Sequence, residues 1–172
     1  MRPEALNVEP LNREGFRRFG DVIETEGAHS FPINNGTTER YHALAAADVD
    51  TSGGKAILSI FEGVSFSAPI AITMMERHPL GSQAFMPLSG EPYLVVVAED
   101  DGAGKAVRPC AFLAGPGQGV NYTRGTWHHP LLSLNKQSRF LVVDREGDGE
   151  NLEEFDYPAP GFVIEKLPSM NI

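Results

Sequence analysis

Short apolar runs separated by turn residues are the feature that most limits how this chain can fold. The runs are rich in branched and aromatic residues, and Gly, Pro, Asn or Asp separates them, as expected for β-strands. They lie at Ala56–Glu62, Ile70–His78, Tyr93–Ala98, Cys110–Ala114, Val120–Thr123 and Arg139–Asp144. The 18 glycines and 13 prolines favour many tight turns over long helices. The pattern predicts an all-β sandwich or barrel.

Helical periodicity is weak throughout the chain. The segment Asn12–Gly20 predicts a short N-terminal helix, because Asn12 is a good N-cap and Gly20 suits a C-terminal turn. Leu152–Phe155 gives a slight indication of a second short helix. The last stretch, Pro158–Ile172, alternates apolar residues, so we expect either an edge strand or a contact with a second subunit.

Length and composition predict one ordinary globular domain. The 172 residues contain neither an internal repeat nor a low-complexity linker, which predicts a single domain spanning residues 1–172. Since no apolar run approaches the roughly 20 residues that cross a bilayer, we expect no membrane span. The N-terminus also lacks the apolar segment of a signal peptide. A cytoplasmic location is the resulting expectation.

Cysteine content and charge narrow the possible sites and partners. Cys110 is the single cysteine, so neither an intramolecular disulfide nor a multi-cysteine zinc site can form. The formal net charge is −9, which argues against nucleic acid or an anionic membrane as the partner. An anionic ligand would therefore need a local arginine to hold it.

Four polar clusters lie at the ends of the predicted strands or in the adjacent turns. They are Asn34–Gly36, Glu39–His42, Glu76–His78 with Ser82–Gln83, and Asn121–His129. Polar side chains at such places usually lie on the surface, so each cluster alone would be structural. Four of the five histidines fall inside these clusters, whereas His29 lies in a loop and is expected at the surface. Because histidine titrates near neutral pH and is the commonest metal ligand, the clusters are candidate sites.

Strand alternation sorts the candidates onto two faces. If Ile70–His78 is extended, His78 shares a face with Glu76, while Arg77 points to the other side. His128 and His129 must likewise face opposite sides, with His129 on the side of Trp127. The histidine doublet is therefore not predicted to supply two ligands to one ion.

A metal site is possible but is only weakly indicated. Zinc or iron needs about three protein ligands from neighbouring strands. His78 and His128 with Glu76 or Glu91 would be sufficient. However, the chain has no His-x-His, the spacing that puts two ligands on one face of a strand. No metal ligand is therefore assigned from the sequence.

Five segments stand out along the chain: FGDVIE (Phe19–Glu24), INNGTTERYH (Ile33–His42), ERHPLGSQAF (Glu76–Phe85), GVNYTRGTWHHPL (Gly119–Leu131) and FLVVDREG (Phe140–Gly147). These segments resemble the signature segments of the bacterial ureidoglycolate lyase family, whose members were formerly often labelled ureidoglycolate hydrolases. They occur in the family's order and are spread over almost the whole chain.

The resemblance implies a fold, a reaction and an assembly. The fold would be a cupin-like double-stranded β-helix, that is, a jelly-roll barrel. The enzyme would be a carbon–nitrogen lyase that cleaves (S)-ureidoglycolate to glyoxylate and urea in allantoin breakdown, and a homodimer would be expected. No cofactor is firmly implied, because Ser82-Gln83-Ala84 stands where a cupin would carry its first His-x-His metal motif. A divalent metal remains possible, since His128 lies near the position of the second motif's histidine.

Cleaving ureidoglycolate requires proton transfer and a clamp for a carboxylate, which gives the candidates roles. We predict that His78 and His128 transfer protons, in either order. Further substrate-binding candidates are Arg77, Arg40 and Arg124 for the carboxylate, Gln83 and Asn121 for the ureido group, and Tyr122, Asn34 and His42. Alternation disfavours Arg77 and His78 in one pocket.

Two other functions fit the same residues. One is a ureidoglycolate amidohydrolase, which would release ammonia in place of urea. The other is a non-catalytic cupin module that binds small carboxylates and needs no titrating histidine.

Overall fold

The computed structural model describes residues 1–169, and strands dominate them. In chain order the strands are β1 (Glu4–Ala5), β2 (Val8–Pro10), β3 (Gly20–Ile23), β4 (Ser30–Ile33), β5 (Thr38–Tyr41), β6 (Lys55–Gly63), β7 (Ser65–Phe66), β8 (Ile70–Ile72), β9 (Met74–Arg77), β10 (Gln83–Pro87), β11 (Tyr93–Ala98), β12 (Cys110–Ala114), β13 (Gly119–Tyr122), β14 (Trp127–His128), β15 (Leu132–Leu134), β16 (Ser138–Glu146), β17 (Glu153–Asp156) and β18 (Phe162–Ile164). One short α-helix, α1 (Arg13–Phe16), and two 3₁₀ turns, Asn34–Gly36 and Thr51–Gly53, complete the described elements. The prediction of an all-β fold with a short N-terminal helix is confirmed.

Two large sheets pack face to face. The first has the strand order β3-β13-β10-β16-β6, and its neighbouring strands are all antiparallel. The second has the order β17-β9-β14-β11-β12-β2, with β15 and β7 attached beside β11. A small sheet, β1-β18-β8, and the separate hairpin β4-β5 make up the rest. Facing, mainly antiparallel sheets are the architecture of jelly-roll barrels such as cupins, as the family resemblance implied.

The main core fills the space between the two large sheets. The first sheet contributes Val22, Phe85, Val120, Phe140 and Val142, and the second contributes Tyr93, Val95, Val97, Phe112 and Ala114. Phe16 and Phe19 close one end of this core from α1 and the turn after it.

Strand β11 is buried on both faces. Val95 and Val97 belong to the core between the large sheets, whereas Leu94 and Val96 belong to a second core that includes Ile72 of the small sheet. Because both faces of β11 pack against apolar residues, neither face requires polar side chains, which explains its continuous apolar sequence.

The N-terminal helix is shorter than predicted. Asn12 caps it as expected, because its Oδ1 accepts a hydrogen bond from the Gly15 backbone N–H at 2.9 Å. The helix ends at Phe16, and Gly20 is the first residue of β3 with φ +148°. A Cβ on Gly20 would lie 1.9 Å from the carbonyl oxygen of Asn121. Gly20 therefore serves the close approach of β3 to β13 and not a helix C-terminus.

The predictions of a helix at Leu152–Phe155 and of an edge strand within Pro158–Ile172 are both wrong, while a contact of the latter stretch with a second subunit stays a prediction. Leu152–Phe155 is not helical: β17 begins at Glu153 and pairs with β9. Within Pro158–Ile172, β18 lies between β1 and β8, so it is not an edge strand, and Ile164 is fully buried. Pairing on both sides is what burial of this apolar segment requires. Residues 170–172 of this stretch lie outside the described part.

Strand Ile70–His78 is also divided, because Thr73 separates β8 from β9. Ile72 and Met75 consequently lie in the same core, although strict alternation would place them on opposite faces. Within residues 1–169, helices long and apolar enough to span a membrane are absent.

Candidate active site

Glu76, His78 and His128 converge at one place and are called the triad below. Glu76 on β9 and His128 on β14 are directly paired residues of two antiparallel strands. His78 follows the end of β9, and its ring centroid lies 5.2 Å from that of His128. One nitrogen or oxygen atom from each of the three side chains lies within 4.8 Å of the others. The alternation that put Glu76 and His78 on one face thus brings them together with His128.

Backbone carbonyls fix the proton on each triad histidine. Nδ1 of His78 lies 2.7 Å from the Asn151 carbonyl oxygen, and Nδ1 of His128 lies 2.9 Å from that of Thr126. A carbonyl oxygen can only accept, so each Nδ1 carries the proton and donates it. Both Nε2 atoms are buried and have no hydrogen-bond partner among the described residues.

The Nε2 lone pairs meet a negative charge. Nε2 of His128 lies 3.5 Å from Oε1 of Glu76. Burial raises the pKa of the Glu76 carboxyl, but the close approach of His128, with His78 and His129 also nearby, outweighs burial and lowers the pKa below its usual value. Glu76 is therefore ionised near neutral pH. Lone pairs and a carboxylate facing one another repel unless a proton or a metal cation lies between them.

Neighbouring residues hold the triad rings in orientation. Besides accepting from His78, Asn151 uses its side-chain Oδ1 to accept a hydrogen bond from the Leu80 backbone N–H at 2.8 Å. Asn151 therefore holds the chain on both sides of Pro79. The ring of Tyr122 stacks on His128, with centroids 4.3 Å apart and an angle of 11°.

A cavity of about 350 Å³ opens beside Glu76 and His128 of the triad, whereas His78 does not line it. Apolar and aromatic side chains form most of its wall, and they include Phe61, Phe85, Tyr93, Leu94, Tyr122 and Leu131. Its polar groups are Glu62, Glu76, His128 and His129. A small, largely apolar cavity with a few converging polar groups is the usual form of a ligand site.

His129 lies on the same cavity as His128, so the prediction that it faces away beside Trp127 is wrong. Strand β14 ends at His128 and Pro130 follows, so alternation does not extend to His129. Burial lowers the pKa of His129, and the Pro130 carbonyl and Glu76 offset this only in part. His129 is therefore neutral near pH 7.

Arg77 lies on the reverse side of β9, as alternation predicted. Its guanidinium contacts Asp100 at 2.7 Å and Glu153 at 2.6 Å, and it lies 4.4 Å from the Trp127 ring centroid. Trp127 in turn donates to Asp100 at 3.0 Å. These contacts join β9, β14 and β17 behind the triad, away from the cavity.

The other two arginine candidates are also outside the cavity. Arg124 forms an ion pair with Asp48, its Nε lying 3.0 Å from Oδ2. Arg40 lies on β5, every residue of which is exposed, and its guanidinium is 5.9 Å from the Phe31 ring centroid. Asn34 and His42 belong to the same exposed hairpin region. None of these residues lines the cavity.

The two amide candidates are buried and their NH₂ groups bond to their own chain, whereas Asn121 Oδ1 and Gln83 Oε1 have no hydrogen-bond partner among the described residues. Asn121 donates to Asp21 at 3.1 Å and to the Ala46 carbonyl at 3.2 Å. Gln83 donates to Asp144 at 3.3 Å. Among the predicted substrate-binding residues, only Tyr122 lines the cavity.

Two contributors to the site were missed from the sequence. Glu62, at the end of β6, lines the cavity but belongs to no motif. Asn151 acts on His78 through a backbone carbonyl, which any residue could supply, so its sequence gives no signal.

Comparisons with known proteins agree on one family. Residues 3–165 match the family model described as ureidoglycolate lyase. A ureidoglycolate lyase of Brucella melitensis is 60% identical over 165 residues, which cover 96% of this chain and 97% of that protein. Another, from Rhizobium etli, is 55% identical over 167 residues, or 97% and 99% of the two chains.

Among solved structures, a 3,4-ketoisomerase from Helicobacter canadensis is 12% identical with a TM-score of 0.41, covering 75% of this chain and 84% of its own. A likeness at this level carries no conclusion about function.

Proposed function

The chain belongs to the ureidoglycolate lyase family, and from this membership we propose that it cleaves ureidoglycolate to glyoxylate and urea at the cavity beside the triad. The observation that supports this location best is the pair of buried Nε2 atoms of His78 and His128, which face Glu76 without a hydrogen-bond partner. Unpaired buried polar atoms are costly and are retained mainly where function requires them.

The reaction moves one proton and consumes no water. The substrate hydroxyl loses its proton as its C–O bond becomes the carbonyl of glyoxylate. The C–N bond breaks with its electron pair passing to nitrogen, and that nitrogen takes up a proton to become urea. The site must therefore accept a proton from oxygen, deliver one to nitrogen and hold a carboxylate.

We propose that the triad holds a divalent metal ion. Two imidazole nitrogens and a carboxylate are donors that suit a first-row transition metal. The Nδ1–H group of each histidine donates a hydrogen bond to a backbone carbonyl, which is the usual support of a metal-binding histidine. When bound, such a cation would act as a Lewis acid toward a substrate oxygen.

The residues around the triad have separate tasks. Glu76 supplies negative charge, and the carbonyls of Asn151 and Thr126 keep the histidines in the tautomer that presents Nε2. The apolar wall excludes water, which strengthens the electrostatic interactions inside. His129 donates its Nδ1 proton to Pro130, so its Nε2 is left to accept from a substrate hydroxyl or N–H.

Proton transfer by His78 and His128 is the other use of the triad. It is favoured by the 3.5 Å approach of the His128 Nε2 to Glu76, across which a proton could be held. Since one lone pair cannot bind a metal and a proton together, metal content separates the two mechanisms.

The test is product analysis with and without metal. The purified chain is incubated with (S)-ureidoglycolate, a protein-free blank corrects for spontaneous decay, and glyoxylate, urea and ammonia are measured. We expect equal amounts of glyoxylate and urea. Ammonia in place of urea would indicate an amidohydrolase, and binding without turnover would indicate a non-catalytic module.

A second experiment tests the metal by comparing urea release from the untreated chain with urea release from the chain dialysed against a chelator. We expect a bound transition metal, loss of urea release on its removal and recovery on its return. Full activity in metal-free protein would leave proton transfer by the two histidines as the mechanism.

A further inference from the structure

The cavity beside the triad contains no positively charged side chain from the described part of the chain. Apart from two tyrosines, its titratable side chains are Glu62, Glu76, His128 and His129. If ureidoglycolate is the substrate, as proposed above, its carboxylate meets no arginine or lysine among the described residues in the cavity of a single chain. A carboxylate is normally held by an arginine in a bidentate contact. The cavity of a single chain therefore lacks the arginine that would bind the substrate carboxylate.

Arginines elsewhere near the site are engaged by their own chain. Arg77 is bonded to two carboxylates behind the triad, and Arg124 is paired with Asp48. Arg145 is buried and donates to the carbonyls of Thr51 and Asp148. Arg139 is paired with Glu62 at the edge of the cavity, so its charge is already balanced.

Arg40, unlike these four arginines, is not engaged by the described part of its own chain. It lies on hairpin β4-β5, and within the described residues it makes no ion pair. The second strand of the hairpin is exposed along its full length, and its partners in sheet pairing are confined to β4. A two-stranded hairpin alone in water is only marginally stable. The hairpin also places the partly exposed Phe31 beside Arg40, and aromatic residues and arginine are enriched at protein interfaces.

A second unpartnered surface lies next to the cavity. Strand β6 forms an edge of the first sheet, and Phe61, Glu62 and Gly63 from it line the cavity. Leu58 and Ile60 on the same strand are 73% and 57% exposed. Val64, just beyond the strand, is 67% exposed. Apolar exposure of this kind on an edge strand marks a surface that another chain covers.

We propose that a second copy of this chain covers the β6 surface and inserts its hairpin β4-β5 at the edge of the cavity, where the partner's Arg40 binds the substrate carboxylate. A second copy is the occupant that fits, because one two-fold dimer would cover both exposed surfaces and complete both sites at once. The charges are complementary, since the hairpin brings an unpaired cation to a cavity whose wall, among the described residues, includes Glu76 and no arginine or lysine.

Complementation between two inactive chains tests this arrangement. Chains with His128→Asn and with Arg40→Gln are co-expressed under different affinity tags, and the mixed dimer is purified. Each parent alone should lose about tenfold to a hundredfold or more in kcat/KM. The mixed dimer should regain about half of the wild-type rate, because one of its two sites then combines an intact His128 with an intact Arg40.

The reciprocal control pairs a His128→Asn/Arg40→Gln chain with a wild-type chain. If Arg40 acts in the site of the partner subunit, this mixed dimer should have almost no activity, because each of its two sites lacks either His128 or Arg40. Half activity in this control, or no recovery in the first mixture, would overturn the proposal. So would wild-type kcat/KM in the Arg40→Gln homodimer.

Sedimentation of the wild type and of Leu58→Glu tests the surface independently of the reaction. We expect a dimer for the wild type and a monomer for the variant, whose far-UV circular dichroism should be unchanged. A monomeric wild type or a dimeric, fully active variant would contradict the proposal. If the wild type itself releases no urea, the proposed function fails, while sedimentation still decides the interface.

Discussion

The backbone carbonyl of Asn151 accepts the Nδ1 proton of His78 at 2.7 Å and so leaves the Nε2 of that ring bare beside Glu76 and His128. The Asn151 side chain adds a second contact, to the N–H of Leu80. A residue distant in sequence thus sets both the tautomer and the position of a candidate ligand. Such supporting contacts typically change metal affinity or activity by about 10-fold to 100-fold.

Asn151→Ala should weaken metal binding without unfolding the chain. The substitution keeps the carbonyl but removes the Leu80 contact, so the turn that carries His78 loosens. We expect about a tenfold rise in the metal dissociation constant by isothermal titration calorimetry. Asn7→Ala, at an exposed position, is the matched control and should bind metal as the wild type does. An unchanged constant for Asn151→Ala would remove this residue from the site.

Glu76→Gln should abolish tight metal binding, whereas Glu62→Gln should not. Both carboxylates line the cavity, but only Glu76 lies with the two histidine nitrogens. Loss of its charge leaves two neutral donors, fewer than a stable site needs. Metal content per chain after gel filtration measures the difference. Equal content in the two variants would place the metal elsewhere or exclude it.

Arg77→Ala should act on stability more than on substrate affinity. The Arg77 side chain is four-fifths buried, and its guanidinium is bonded to Asp100 and Glu153. Hydrogen bonds to charged groups are each worth about 1.5–3 kcal/mol. We expect a loss of about 2 kcal/mol or more in the free energy of unfolding, measured by urea denaturation. A raised KM with an unchanged free energy of unfolding would instead indicate that Arg77 binds the substrate carboxylate.

Gly20→Ala should destabilise the barrel because its Cβ would clash with the Asn121 carbonyl. We expect at least about 2 kcal/mol by urea denaturation. Gly90→Ala is the control, since a Cβ there meets nothing within 4 Å and the backbone has no positive φ. It should change stability by less than about 0.5 kcal/mol. Equal effects of the two substitutions would contradict this reading of β3.

Local patterns predicted what depends on local chemistry. The apolar runs Tyr93–Ala98 and Cys110–Ala114 coincide with β11 and β12. Alternation correctly separated Arg77 from Glu76 and His78, because these residues lie in or next to one regular strand. The family and the lyase activity that it implies were also predicted correctly, from segments that span the chain.

Tertiary contacts account for what the sequence did not predict. Gly20 looked like the end of a helix, but its backbone is required against Asn121, about 100 residues away. The alternation rule failed at His129 because Pro130 ends the strand. Arg40 and Arg124 could not be ruled out of the cavity, since their positions depend on how hairpin and loop meet the barrel.

Several expectations stay predictions. They are the single domain over residues 1–172, the homodimer, the cytoplasmic location and the absence of nucleic-acid and membrane partners. The roles of the individual site residues, including proton transfer by His78 and His128, are likewise predictions that the experiments above address.

The central claim is that the triad is the catalytic centre, and urea release by single histidine variants tests it most directly. His78→Asn and His128→Asn each replace an imidazole with a smaller polar group, and circular dichroism verifies that they remain folded. The account predicts that each variant loses at least about a hundredfold in kcat/KM, whether the histidine binds metal or carries a proton. Near wild-type turnover in both folded variants would contradict it.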